Sequence, residues 1–272
     1  MNILNLKEVL ILRKRLLLSL IMCASLLLTG CAHEQHQHKE VKVSLAREFN
    51  PNQLDAQGFD VPMPVYSAIY QPLVTYGKNG KIEPGLAKSW EVSDDGKDYT
   101  FHLKHHIQFN DGSTFNAKAV KFSIERAKAT DKTNPMETLD KLKSVTLKDN
   151  YTVDIHLKTP SNQVLNELSQ VRPLRIMSPN AVKDGKTTGQ FEKAIGTGPF
   201  KVANSTNETV SFKPNPYYRN HHPLDYDLIF QTIEDSDSRH LAIESHSIDI
   251  TGGSLGHLTP QQIKESYRNQ DL

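Results

Sequence analysis

Alternating apolar and polar positions predict several short strands along the chain. Residues 41–46 alternate in this way, which indicates a strand with one buried face. Residues 145–147 and 151–157 alternate on either side of the turn Asp149-Asn150, which predicts a hairpin. Asp-Gly pairs at 95–96 and 111–112 predict further tight turns, because glycine adopts the positive φ that such turns require.

Helical periodicity separates these strands. The apolar residues Val120, Ile124 and Ala127 recur at helical spacing after Asn116, which predicts a helix with Asn116 as its N-cap. Residues 162–169 predict a second short amphipathic helix. Strands and helices interleaved in this way predict an α/β fold.

The N-terminus differs from the rest of the chain. Basic residues at 13–15 precede an apolar run over 16–28, and the run ends in Leu28-Thr29-Gly30-Cys31. A basic segment, a short apolar segment and small residues are typical of a secretory signal, predicted here over residues 1–30. The ending resembles a bacterial lipobox, which would make Cys31 the lipidated first residue of the mature protein. We expect a domain anchored by lipid to the outer face of the cytoplasmic membrane, or a periplasmic one.

Residues 31–40 are polar and predict a flexible tether. His33, His36 and His38 lie close together in it, so they are candidate metal ligands that could gather around one ion. The alternative is a solvated linker without a metal. The sequence leaves both interpretations open.

Charge and cysteine content exclude several classes of protein. The chain has 32 Lys and Arg against 31 Asp and Glu, which argues against a nucleic-acid partner. Its two cysteines are Cys23, inside the predicted signal, and Cys31, so we expect neither a disulfide nor a thiolate metal site in the domain. We find no metalloprotease or serine-hydrolase motif and therefore predict a protein that is not an enzyme.

Two arginines stand out in residues 171–177, where Arg172 and Arg175 flank Pro173 among apolar residues. Guanidinium groups are seldom buried without a partner. Either they pair with structural acids such as Glu167 or Asp184, or they present paired donors to the carboxylate of a ligand. We place Arg175 on the opposite face of a predicted strand and assign it a structural or surface role.

Several separated motifs together resemble one known family. They are found at 70–74, 83–90, 195–200 and 239–245. In order and spacing they resemble the bacterial extracellular solute-binding proteins of family 5, the ABC-transporter receptors for peptides and nickel chelates. The resemblance implies a type II periplasmic-binding-protein fold over residues 41–272, with an inserted subdomain at about 75–190. Members run to about twice this length, so we expect the first lobe here, with the second missing or truncated.

The resemblance also implies site residues and a ligand. Arg172 matches the position at which nickel-chelate receptors hold the carboxylates of a chelator, and Met63 matches a pocket methionine. Thr133 and Met136 stand where a nickel-binding relative has an arginine and a tryptophan, and Tyr66 completes the expected ligand-binding set.

The implied function is delivery of nickel to an ABC permease and ATPase, as a chelate with histidine or a metallophore and without a resident cofactor. An oligopeptide or dipeptide receptor, or a truncated remnant without transport, is the alternative.

Overall fold

The strands form two four-stranded sheets and one two-stranded hairpin. The computed structural model describes residues 39–130, 136–206, 208–218, 224–252 and 255–268, all within the unit Lys39–Leu272. The mixture of strands and helices confirms the predicted α/β class. The predicted signal at 1–30, Cys31 and the tether histidines His33, His36 and His38 lie outside the described residues, and those assignments stay predictions.

The elements follow one another along the chain in short segments. The strands are β1 (Lys39–Leu45), β2 (Val74–Tyr76), β3 (Ile82–Pro84), β4 (Ala87–Val92), β5 (Asp98–Leu103), β6 (Leu142–Asp149), β7 (Thr152–Leu157), β8 (Phe200–Ser205), β9 (Thr209–Pro214) and β10 (Tyr226–Thr232). The helices are α1 (Met63–Ile69), α2 (Ala117–Thr130), α3 (Glu137–Lys141), α4 (Val164–Ser169), α5 (Ser236–Glu244) and α6 (Pro260–Ser266). In the part of the chain that the structure describes, no helix is long and apolar enough to span a bilayer.

The first sheet has the order β1-β10-β9-β8, and β1 runs parallel to β10. Val43 lies opposite Phe230, and both side chains are buried, as the alternating pattern predicts for one face of a strand. The strand begins at Lys39, so Lys39 and Glu40 belong to β1. The predicted tether at 31–40 is therefore two residues too long at its C-terminal end.

A second segment pairs with the other edge of β1. The Ser44 amide donates to the Ile250 carbonyl at 3.0 Å, and the Lys42 amide donates to Asp249 Oδ2 at 2.7 Å. Residues near position 250 thus cover the strand edge that β10 leaves free. Pairing on both sides fixes the carboxyl end of β1, where the candidate site lies.

The second sheet is antiparallel, with the order β4-β5-β7-β6, and α2 packs on β6 and β7. The predicted helix is confirmed, because Asn116 Oδ1 accepts from the Lys118 amide at 3.0 Å and Val120, Ile124 and Ala127 are buried. The predicted hairpin is β6–β7.

The chain leaves the first sheet after β1 and returns to it at β8, so the second sheet lies within this excursion. The buried apolar side chains of both sheets nevertheless belong to one continuous cluster. An inserted subdomain with limits near 75 and 190 stays a prediction.

Glycines allow the chain to cross closely over α1 before β8. A Cβ on Gly196 would lie 2.1 Å from the Ile69 carbonyl oxygen, and the Gly198 amide donates to the same oxygen at 2.8 Å. No larger side chain fits at such a distance. The motif 196–198 thus holds the end of α1 against the start of β8.

Candidate ligand-binding cleft

A cleft of about 580 Å³ opens at the carboxyl end of β1. This volume is within the range of small-molecule sites in proteins. We call it the arginine cleft, because three arginines contribute to its wall. Its lining residues are Leu45, Ala46, Arg47, Pro62, Met63, Arg172, Arg239, Leu255, Gly256 and His257.

The arginine cleft carries positive charge. Arg47, Arg172 and Arg239 lie in its wall, and no Asp or Glu is among the described residues that line it. Cations around a concave surface create a positive potential that attracts anions. The cleft is therefore suited to a ligand that carries carboxylate groups.

Arg172 is held by backbone carbonyls instead of by acids. Its Nη1 donates to the carbonyls of Phe59 and of Val61, the latter at 2.7 Å. Neither Nε nor Nη2 makes a hydrogen bond to another described residue, and in the described chain Arg172 forms no ion pair. The guanidinium thus keeps its charge and part of its donor set for a ligand.

The predicted pairing of the arginines with acids is wrong for Glu167. Its carboxylate accepts instead from the amides of Glu137 and Thr138, at 2.9 and 2.8 Å. These amides belong to the first turn of α3, whose N–H groups lack partners within the helix. Asp184, the other proposed partner, forms no ion pair with either arginine in the described chain.

The backbone around Arg172 is bent, so the predicted strand through this stretch is wrong. Residues 171–174 form bends, the Arg172–Pro173 peptide is cis, and Leu174 has a φ of 68°. The buried side chain of Gln57 stabilises this bend. Its Oε1 accepts a hydrogen bond from the Leu174 amide at 3.1 Å, and its Nε2 donates to the Arg175 carbonyl at 2.9 Å. These two side-chain hydrogen bonds take the place of the backbone hydrogen bonds that a strand would have formed with a neighbouring strand.

Arg175 is buried and structural. Its Nε donates to the Val171 carbonyl at 2.9 Å and its Nη1 to the Tyr70 carbonyl at 3.3 Å. Burial lowers the pKa of the Arg175 guanidinium to about 10. It does not line the arginine cleft. The prediction that the two arginines differ in role agrees with this placement.

Two arginines of the cleft, Arg239 and Arg47, were not predicted as site residues from the sequence. Arg239 donates from Nη1 to the carbonyls of Ile233 and Glu234, at 2.8 and 2.6 Å, and from Nη2 to the His257 carbonyl at 2.8 Å. Arg47, the other one, is exposed. Arg239 is the first residue of the family-like motif at 239–245, so the sequence held a signal that could have identified it as a site residue. Arg47 lies in no motif.

Met63 lines the same cleft as Arg172, in line with what the resemblance implies. It begins α1, and its side chain is 44% exposed. A thioether is soft and adaptable, so it can contact a bulky complex without ligating its metal. Its part in binding stays a prediction.

The other predicted ligand contacts are placed differently. Tyr66 is fully buried beneath the loop before α1, and a Cβ on Gly58 would lie 2.7 Å from its hydroxyl. Burial raises the pKa of the Tyr66 hydroxyl, and the charge of Arg172 offsets this only in part. Met136 is 5% exposed and does not line the cleft, and Thr133 lies outside the described residues. A ligand could touch Tyr66 or Met136 only after neighbouring residues move.

Within the described ranges, no group of three or more His, Cys, Asp or Glu side chains could hold a metal ion. The pair His105-His106 lies on the surface, and the His105 ring stacks on Tyr151 with centroids 4.0 Å apart. The arrangement of the arginine cleft favours recognition of a ligand's anionic groups.

A family model for the bacterial extracellular solute-binding proteins, family 5 (middle region), matches residues 81–271. The nickel-binding periplasmic protein of Escherichia coli (strain K12) is 30% identical over 250 residues, which are 90% of this chain and 46% of that protein. A glutathione-binding protein of Pectobacterium atrosepticum is 32% identical over 181 residues, or 64% of this chain and 34% of that protein.

The fold is that of solved binding proteins. NikA from Brucella suis, solved in complex with Fe(III)-EDTA, superposes with a TM-score of 0.70 at 32% identity, covering 76% of this chain and 42% of that one. The type II periplasmic-binding-protein fold predicted from the sequence is confirmed. The chain spans less than half the length of each of these three relatives.

Proposed function

Because the chain belongs to the bacterial extracellular solute-binding proteins of family 5, we propose that it binds nickel as a small-molecule chelate for an ABC importer. The nickel ion is cargo in this proposal, and the chelator is a carboxylate-bearing molecule such as histidine or a metallophore. The similarity to the nickel-binding periplasmic protein of Escherichia coli and to NikA, which was solved with Fe(III)-EDTA, supports the proposal.

One observation carries the proposal. Arg172 stands in a cleft whose described lining residues include three arginines and no carboxylate, and its Nε and Nη2 make no hydrogen bond to described residues. A guanidinium can present two parallel N–H donors to a carboxylate. A ligand with several carboxylates would therefore be bound by charge and by paired hydrogen bonds in the same cleft.

The role of each residue follows from its position. Arg172 would donate to a chelator carboxylate while the Phe59 and Val61 carbonyls hold its Nη1. Arg47 and Arg239 would add positive charge, and Met63 would pack on the apolar part of the complex. Nickel would stay coordinated by the chelator, since these side chains include no cluster of metal ligands.

Delivery would follow from binding without covalent chemistry. The loaded protein would be recognised by the permease and ATPase of the importer, because a ligand stabilises the conformation that it binds best. Lipidation of Cys31 would keep the domain on the outer face of the cytoplasmic membrane, near the permease.

A peptide ligand is the second candidate, and the glutathione-binding relative favours it. A peptide also carries a carboxylate that Arg172 could bind. The two candidates differ in whether affinity depends on nickel.

Calorimetry decides between these ligands. The purified protein is titrated with histidine in the presence and in the absence of nickel. It is also titrated with a set of dipeptides. We expect binding of the nickel–histidine complex, and a loss of at least about tenfold in affinity in Arg172→Gln. Dipeptide binding that does not respond to nickel would assign the peptide function instead. A matched control is Lys118→Gln, which removes an exposed charge on α2, away from the lining of the arginine cleft.

A further inference from the structure

A second cationic cleft, of about 490 Å³, is lined in part by residues of the second sheet. We call it the lysine cleft. Lys88, Lys104, His105 and His106 contribute its charged and titratable groups, and its remaining lining residues are Gln71, Gly85, Leu86, Ile107, Gln108, Thr197, Tyr217 and Tyr218. It shares no lining residue with the arginine cleft.

Backbone hydrogen bonds hold the segments that form the walls of the lysine cleft. The Leu86 and Ala87 amides donate to the Pro72 and Leu73 carbonyls at 3.1 and 2.8 Å, and the Lys104 amide donates to the Leu86 carbonyl at 2.9 Å. Backbone hydrogen bonds therefore fix the segments that carry Gln71, Lys88 and Lys104.

The opposite wall is fixed through Asn215. This buried side chain donates from Nδ2 to the Gly198 carbonyl at 2.8 Å, and its Oδ1 accepts from the Tyr217 amide at 3.0 Å. Asn215 thus ties the pair Tyr217-Tyr218 to the segment that contains Thr197. Phenol hydroxyls are hydrogen-bond donors and add to the polar character of the cleft.

Three polar side chains of the cleft, those of Lys88, Lys104 and Thr197, have no hydrogen-bond partner among the described residues. Thr197 is 2% exposed, and its Oγ1 is buried without a hydrogen-bond partner among the described residues. A buried hydroxyl without a partner costs free energy, so a ligand atom that accepted its hydrogen bond would recover part of that cost. Lys88 and Lys104 form no ion pair in the described chain, and no described Asp or Glu lines the cleft.

The charge decides which class of ligand fits. Two histidines side by side could suggest a metal ion, but the two lysine ammonium groups in the lining repel a cation. The described lining residues include no carboxylate or thiolate that would offset that repulsion. Ammonium groups, a hydroxyl and phenols together are the donors that surround an oxyanion.

We infer that the lysine cleft is a second binding site, which takes a small solute through its oxyanion group, with Lys88, Lys104 and Thr197 as the groups that bind it. Phosphate and carboxylate groups share this chemistry. The site is separate from the proposed nickel-chelate site, so neither proposal depends on the other.

Calorimetric titration of the purified 272-residue chain with inorganic phosphate and with citrate, at constant ionic strength set by chloride, tests the inference. We expect at least one of the two anions to bind. In the variant Lys88→Gln/Lys104→Gln its affinity should fall by at least about tenfold, since two charge-assisted contacts are lost. Lys118→Gln should bind as the parent chain does.

A further variant tests the role of the Thr197 hydroxyl. Thr197→Val keeps the shape of the side chain and removes the hydroxyl, so it should weaken anion binding without lowering the melting temperature of the anion-free protein. The inference is overturned if neither anion binds, or if the double lysine variant binds both anions as the parent chain does.

Discussion

Arg172 and Val61, 111 residues apart in sequence, are joined by a 2.7 Å hydrogen bond from the guanidinium Nη1 to the backbone carbonyl. The same nitrogen donates to the Phe59 carbonyl. Arg172 therefore positions the loop before α1 as well as contributing charge to the arginine cleft. A substitution at this residue should change both the stability of the fold and the affinity for ligand.

Arg172→Gln should lower the free energy of unfolding by about 1–3 kcal/mol, because hydrogen bonds from a charged group to the loop carbonyls are lost. Urea denaturation at neutral pH measures this change. Arg172→Lys keeps the charge but not the fork of donors, so its affinity for the nickel–histidine complex should lie between those of the parent and Arg172→Gln. Unchanged stability in Arg172→Gln would contradict the role assigned to the loop contacts.

Arg175 should behave in the opposite way, because it is buried outside the cleft. Arg175→Ala should cost about 2–4 kcal/mol, since it leaves a cavity and unpaired carbonyls, whereas Arg175→Met should cost less because it fills the space. Both variants that fold should keep the parent affinity for ligand. A ligand defect in well-folded Arg175→Met would show that this residue is also part of the site.

The pH dependence of Arg175 has a definite sign. Its pKa in the folded protein, about 10, is below the ordinary value for arginine, so the buried charge reduces stability at every pH below about 10. Above that pH the folded protein loses the proton while the unfolded chain retains it, and the penalty is relieved. The stability of the parent relative to Arg175→Met should therefore rise as the pH is raised above about 10, as denaturation at several pH values would measure.

A buried ion pair joins the loop before α1 to helix α2. Asp55 Oδ2 accepts from Arg126 Nε at 3.0 Å and from Nη2 at 2.6 Å, and Arg126 Nη1 also donates to the carbonyls of Thr187 and Gly189. Asp55→Asn should destabilise the protein by about 3 kcal/mol, because it leaves the guanidinium buried without its counter-charge.

The double variant Asp55→Asn/Arg126→Met serves as the control. It removes both charges, so it should be more stable than the sum of the two single changes predicts. Additive losses in urea denaturation would show that the two charges do not interact strongly.

Because of Asp111, the stability of the region after β5 depends on pH in the acid range. Partial burial raises the pKa of this carboxyl, but hydrogen bonds donated by Ser113 and Asn180 outweigh burial, and the pKa lies below its ordinary value. Its contribution is present above the unfolded pKa of aspartate and is lost as pH falls through the folded pKa. Asp111→Asn should thus be less stable than the parent at pH 7, and the difference should shrink toward pH 2. A gap that stays constant with pH would argue against this linkage.

Local structure could be predicted well from the sequence. The hairpin β6–β7, the helix after Asn116 and the Asp-Gly turn at Gly112, which has a φ of 83°, depend on neighbouring residues and on simple periodicity. The shared position of Arg172 and Met63 in one cleft was predicted as well, but by resemblance instead of by pattern.

Contacts between distant residues could not be predicted. The bend around Arg172 is supported by Gln57, and the charge of Arg126 is compensated by Asp55, 71 residues away. No periodic pattern encodes such pairs. The resemblance gave equivalent positions for Tyr66 and Met136 but not their burial, because exposure depends on the side chains around them.

The pairing of β1 has a consequence for the order in which the chain can fold. The Lys42 amide donates to the Asp249 carboxylate, which lies 207 residues later in the chain. The other edge of β1 pairs with β10, which is also synthesised long after β1. At typical rates of synthesis, roughly 5–20 residues per second, β1 is made some 10–40 s before its last partner. The antiparallel sheet β4–β7 can form in that interval, whereas both edges of β1 stay open to other chains. The strand β1 is thus among the last elements to have both edges paired, and its unpaired edges are open to contacts with other chains during synthesis.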